Sequence, residues 1–160
     1  MKAEISKSDM LPASKSFVSR AKGAKGIDLD YSPKSLTTVD EILLSFHKLD
    51  DQPDWLNSLL FTCGAYVGEV VRKHHAGKWV DVKELPEETR KNVAGVITNL
   101  PVVFDCNGMY ISPYDKACKR VQNGAEDSIV HWANAATDKQ FVPVEKPKRG
   151  IIAKLMRQSR

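Results

Sequence analysis

Residues 55–75 read WLNSLLFTCGAYVGEVVRKHH, and this stretch combines a long apolar stripe with small residues at close helical spacing. Trp55, Leu59, Cys63, Tyr66, Val67, Val70 and Val71 recur at steps of three and four, which predicts one face of a helix about six turns long. That face is expected to be the core of the domain. Gly64 and Gly68 stand four apart beside the stripe, and each costs about 1 kcal/mol against alanine inside a helix. The compensating reason expected for both is the close approach of another backbone. The same spacing occurs in membrane helix dimers, but Glu69, Arg72, Lys73, His74 and His75 interrupt any apolar run of the roughly 18 residues a span requires.

Working outward from the N-terminal side, DDQPD at Asp50 to Asp54 is a short polar connection, and Pro53 suits the opening turn of the central helix. Before it, Ser32 is placed as an N-cap and Pro33 as the first residue of a helix that carries Leu36, Val39, Leu43 and Phe46 on one stripe and ends near Leu49. Two antiparallel helices are the expected result. On the C-terminal side, Gly77 follows a basic helix end, and KWVDV at Lys78 to Val82 has strand composition. ELPEETRKN reads as a loop. The clearest hairpin is PVVFD-CNG-MYISP, because Asn107 and Gly108 both tolerate positive φ. Pro113 opens a helix that closes at Asn123-Gly124, and Glu126 to Ala136 is expected to form another. The fold class predicted is α+β, with two long antiparallel helices packed on a small antiparallel sheet built around Trp79 and Asn107-Gly108, and two shorter C-terminal helices.

The 160 residues are 42% apolar, enough for one domain that buries a core without disulfides or metal. Three cysteines, Cys63, Cys106 and Cys118, form no CxxC pair, and the N-terminus has no apolar leader segment, so reduced thiols and a cytoplasmic location are expected. The net charge of +4 is unevenly spread. Residues 1–26 carry six basic and two acidic side chains, a net of +4, and residues 145–160 carry six and one, a net of +5. The remaining twelve basic and seventeen acidic side chains leave a body of −5. The organisation predicted is a flexible basic arm at 1–26, a single domain at 27–144, and a basic tail at 145–160 with a short amphipathic pattern in IIAKLMRQSR.

For chemistry, Glu69 with the basic run behind it is the nearest approach to a polar constellation, and an exposed or Arg-paired carboxylate is the preferred reading over a buried acid. His74 and His75 are adjacent on a helix, hence about 100° apart, which suits helix-end capping and not joint metal binding. Cys106, Cys118 and His131 have the residue types of a metal or thiol site without its spacing. No metal and no cofactor are expected. Cys106, next to a turn, is expected to be the most exposed thiol. The aromatic set Tyr31, Tyr66, Trp79 and Tyr110, with Tyr114 and Trp132, either lines a groove or packs the core with polar ring atoms outward. Tyr31, Tyr66, Glu69, Trp79 and Tyr110 are the candidate binding residues, and no catalytic residue is assigned.

LDYSPKSLTTVD at Leu29 to Asp40, GAYVGEVVRK at Gly64 to Lys73, the Gly-x-Trp at Gly77 to Trp79 and KRVQNGAEDSIVHW at Lys119 to Trp132 together resemble a family of small bacterial proteins with a domain of unknown function. The resemblance spans residues 27–136 and implies a small α+β protein of the kind found among accessory and toxin-immunity genes. With the acidic body and the absence of nucleotide-binding or hydrolase motifs, the function expected is a non-enzymatic protein-binding module, an immunity or accessory protein whose partner is a protein such as a basic toxin. A small-ligand binder or enzyme with a pocket near Glu69 is the second expectation. Weak electrostatic contact of the tails with nucleic acid is the third.

Overall fold

The computed structural model describes residues 4–47, 49, 51–94 and 100–143. The basic tail at 145–160 and the Val96-Ile97 pair lie outside the described residues. Six helices and three strands follow in the order α1 (Met10–Lys25), α2 (Ser35–Phe46), α3 (Trp55–His74), β1 (Lys78–Asp81), α4 (Glu87–Ala94), β2 (Val102–Cys106), β3 (Met109–Ile111), α5 (Pro113–Asn123) and α6 (Ile129–Ala136). The sheet is antiparallel in the order β1-β2-β3, with Trp79 opposite Phe104 and Phe104 opposite Ile111. The class is α+β, as the sequence predicts.

The central helix is more enclosed than a single stripe implies. Every residue from Thr62 to Val71 is buried, whereas Trp55, read as part of the core stripe, is 51% exposed. A helix buried all round needs neighbours on every side. Here α1 covers one side with Phe17, whose ring lies 5.6 Å from Tyr66. The sheet covers another through Val71, Phe104 and Cys106. On a third side α5 reaches the helix backbone at Gly64.

The two glycines divide their roles. A Cβ on Gly64 would stand 2.6 Å from the Tyr114 Cα, so backbone meets backbone there as expected. On Gly68 it would collide with Cζ2 of Trp79, so that glycine receives a side chain and not a main chain. Gly64→Ala gains about 1 kcal/mol of helix propensity but meets the α5 backbone, which yields only by moving the whole helix, at about 1–3 kcal/mol. Urea unfolding of G64A is expected to show a net loss of up to about 2 kcal/mol.

Residues 10–25 correct the expectation of a flexible arm. They form a 16-residue helix closed by Gly26 at φ 66° and bury Met10, Ala13, Ser14 and Phe17. The segment is rich in lysine and glycine, yet Met10, Ala13, Ser14 and Phe17 repeat at three- and four-residue steps, enough for one face to dock. Arg20 donates to Ser58 while Met10 clusters with Ala65, so α1 and α3 run in opposite directions. The long partner of the central helix is therefore α1, and the shorter α2 packs more on α5 and α6. Ahead of α1, the Lys7 N–H donates to Asp81 Oδ1 at 2.7 Å and its ammonium meets Glu84 at 2.7 Å.

ELPEETRKN, expected as a loop, supplies α4, with Pro86 just before it and Glu87 and Glu88 at the end where the helix dipole favours negative charge. The hairpin turn is as read. Asn107 at φ 52° and Gly108 at φ 85° join β2 to β3, and the Gly108 N–H donates to Asp105 Oδ1 at 2.7 Å. Ser112 caps α5 by accepting from Asp115 N, and Ser128 caps α6 by accepting from His131 N, so α6 begins later than Glu126.

Candidate functional site

The five residues proposed from sequence fall into three separate places. Tyr31 and Tyr66 meet, with ring centroids 4.7 Å apart. Tyr66 is fully buried and its hydroxyl accepts from the Tyr31 N–H at 3.0 Å. The Ser35 hydroxyl donates to the Ser32 carbonyl at 2.6 Å, so its 2.7 Å bond with Tyr66 has the phenol as donor. By the same reasoning Ser14 donates to Leu11 O, and the Tyr31 hydroxyl donates to Ser14 at 3.0 Å. Burial raises the Tyr66 pKa, which keeps the phenol protonated in this donor role.

Tyr31 itself stands at φ 60°, a strained region for a bulky residue. The Lys73 ammonium 4.0 Å above its ring and the His74 Nε2 at 2.9 Å from its carbonyl hold it there. His74, read as part of a helix-end cap, thus helps Lys73 to secure the α1–α2 connection, while His75 is the C-cap residue of α3. Tyr66→Phe leaves the Tyr31 N–H without its acceptor, and a loss of about 1–3 kcal/mol is expected in thermal or urea unfolding.

Glu69 is 1% exposed, and it is also Arg-paired. Arg72 Nε and Nη2 reach its two oxygens at 2.9 and 2.7 Å, and the Trp79 indole N–H donates to Oε1 at 2.9 Å. The preferred reading of an exposed or paired acid holds for the pairing, while the burial goes with the alternative. The carboxylate is occupied by partners that lock Trp79 over Gly68, which is a structural role. Tyr110 lies elsewhere, on β3 beside Val103 and Leu85. Cys106 is buried, with its sulfur 3.4 Å from Ala136 O and 3.7 Å from Ala76 O, which corrects the expectation of an exposed thiol. Among the described residues no cluster of His, Cys, Asp and Glu has the arrangement of a metal site.

Two of the surface concavities among the described residues flank α2. A trough of ≈ 690 Å³ runs along the N-terminal half of α2, lined by Asp28, Asp30, Lys34, Glu41, Val130 and Pro143 among others, with acidic side chains outnumbering the one lysine. Asp28 pairs with Lys22 at 2.7 Å and Asp40, deeper in the wall, pairs with Arg120 at 2.9 Å. Asp30 and Glu41 form no salt bridge with any other described residue, and hydrogen bonds from Ser32 hold Asp30 ionised by lowering its pKa. The second concavity, ≈ 530 Å³, lies between α1, α2 and the start of α3 and is lined by Ala21, Ile27, Ile42, Phe46, Trp55 and Leu59, with Arg20 and Lys25 on the α1 rim. Trp55 and Phe46 form its end wall, edge to face at 5.6 Å.

Ile27 of the groove and Asp28 of the trough are successive residues, as are Ile42 and Glu41, so the two linings adjoin along the chain at two points. Sequence reading noted the acidic run around α2, but placed Trp55 in the core, so the groove was missed. The exposed position of Trp55 at the first turn of α3, ahead of the enclosed segment, was the available signal. No helix among the described residues is long and apolar enough to cross a membrane. No family model matches this chain, and no curated protein or solved structure is detectably similar to it.

Proposed function

We propose that this protein is a protein-binding module whose ligand is a basic amphipathic segment of a partner protein. The observation that carries the reading is a groove that leaves a tryptophan 51% exposed, together with a trough in which Asp30 and Glu41 form no salt bridge with any other described residue. Large aromatic side chains left half-exposed beside aliphatic ones are common anchors of interfaces. Negative charge next to them selects a partner with lysine or arginine flanking its apolar face. An immunity or accessory role against a basic protein is the biological form that the sequence resemblance suggests.

The probe for this reading is a synthetic helix-forming peptide of leucine and lysine, titrated against the full chain by calorimetry, with a leucine–glutamate peptide as control. Binding of the basic peptide in the micromolar range is expected, with an affinity that falls as salt is raised. Trp55→Ala is expected to weaken it by roughly tenfold or more, the loss of one buried aromatic anchor. Equal binding of both peptides, or binding indifferent to Trp55→Ala, would rule the surface out.

A further inference from the structure

The apolar groove carries a charge pattern of its own, opposite in sign to that of the trough. Met10, Ala13 and Phe17 on the core-facing stripe of α1 are buried, and the same stripe continues at helical spacing as Ala21 and Ala24. Ala24 is exposed, and a Cβ on Gly23 would meet nothing within 4 Å, so the small side chains near the end of α1 leave the groove open. Facing them are Ile42, Phe46, Trp55 and Leu59, with no charged or hydroxyl side chain among the four. The only charged residues in the described lining are Arg20 and Lys25, which flank the α1 stripe on opposite sides.

Neither cation forms a salt bridge with another described residue. Arg20 has a neutral partner, the Ser58 hydroxyl at 3.3 Å. At the end of α1 the Gly26 and Ile27 N–H groups already donate to the Lys22 and Ala21 carbonyls at 2.9 and 3.2 Å, so those carbonyls do not need the Lys25 ammonium. The acid nearest along the chain, Asp28, is paired with Lys22 at 2.7 Å.

An apolar wall, two placed charges and a volume of ≈ 530 Å³ are the make-up of a small-ligand site. We propose that the groove binds a free fatty acid, with the alkyl chain along the α2–α3 wall beside Trp55 and the carboxylate at the α1 edge by Arg20 and Lys25. Burial of the chain supplies the affinity, and the cations select the sign of the head group. A single free molecule fits better than an anionic bilayer. A bilayer laid over this face would also meet the carboxylates of the trough, whose lining adjoins that of the groove at Asp28 and Glu41. The inference uses the groove alone and stands apart from the docking reading, although both ligands need Trp55 and would compete for it.

Calorimetric titration of the full chain with octanoate, decanoate and dodecanoate, each below its micelle concentration, tests it. One molecule per chain is expected, with an affinity that rises about threefold for each added methylene. Dodecyltrimethylammonium is expected to bind several-fold more weakly than dodecanoate, and added salt narrows the gap. In the Arg20→Gln/Lys25→Gln protein the preference for the anion disappears and the dependence on chain length stays. Ala24→Trp fills the groove from an exposed position and is expected to weaken dodecanoate about tenfold or more, with the thermal midpoint unchanged. Affinity indifferent to chain length, equal binding of the two head groups, or dodecanoate binding unaffected by Ala24→Trp would each overturn the inference. So would recruitment to phosphatidylglycerol vesicles without binding of monomeric dodecanoate, which would assign the groove to a bilayer. The leucine–lysine peptide separates the two readings: peptide binding without dodecanoate binding removes the fatty acid and keeps the docking site, while dodecanoate binding without peptide binding removes the partner protein and keeps the fatty acid.

Discussion

Asp40→Ala is expected to lower the unfolding free energy by about 3–5 kcal/mol, the cost of removing one partner from a buried ion pair. The Asp40 side chain is 13% exposed and that of Arg120 7%. One carboxylate oxygen accepts from Arg120 Nη2 at 2.9 Å and from the Ser128 hydroxyl at 3.0 Å, and the other accepts from the Ile129 N–H at 2.6 Å. Arg120 also donates to Gly124 O at 2.8 Å. One side chain on α2 thereby fixes the end of α5 and the first turn of α6. Its removal leaves a buried guanidinium and a buried N–H without their partner, and the guanidinium dominates because a charge is far dearer to bury than an amide. Asp40→Asn keeps an oxygen for Ile129 and is expected to lose less. Chemical denaturation of D40A, D40N and the parent protein gives the comparison, and a D40A loss below 1 kcal/mol would mean that Arg120 finds water.

The second large effect is expected at Phe17→Ala, a loss of about 3–5 kcal/mol typical of truncating a buried aromatic ring. Phe17 is 1% exposed and packs against Tyr66 in the main core. If residues 1–26 were a solvated arm, the substitution would be silent. The α1 helix makes it one of the most costly single changes in the protein, and deletion of residues 1–26 is expected to remove Met10 and Phe17 from the core together. Thermal unfolding of F17A is the direct measurement, and an unchanged midpoint would return α1 to the status of a loosely attached element.

Much of the fold was legible because local chemistry and tertiary context agree. Asn107-Gly108 needs positive φ at both positions and tolerates it, so the hairpin read from sequence is the hairpin that forms. Gly64 is a similar case: a glycine inside a long apolar helix implies close approach, and α5 supplies it at the Tyr114 backbone. The failures share another cause. The α1 segment has few large apolar side chains, and composition outweighed the three- and four-residue spacing of Met10, Ala13 and Phe17. For ELPEETRKN the proline and charges read as a loop, although proline before a helix and acids in its first turn are start signals.

The candidate site divides in the same way. Sequence singles out Glu69, Tyr66 and Trp79; Arg72 lies one turn from Glu69, but the other partners come from positions 10 to 35 residues away, and periodicity does not report which polar atoms will face each other. The sequence by itself determined the α+β class, the central helix, the turn at Asn107-Gly108 and the separation of charge into an acidic middle and basic ends. Those follow from short-range sterics and from side-chain spacing along one element. Only the tertiary structure decided that α1 is the long partner of α3, that the Trp79 indole donates to Glu69, and that Trp55 faces a groove. Each of these depends on which distant segments share a surface, and that is set by the packing of all the helices together, since burial of a side chain is a property of its neighbours and not of its own position in the chain.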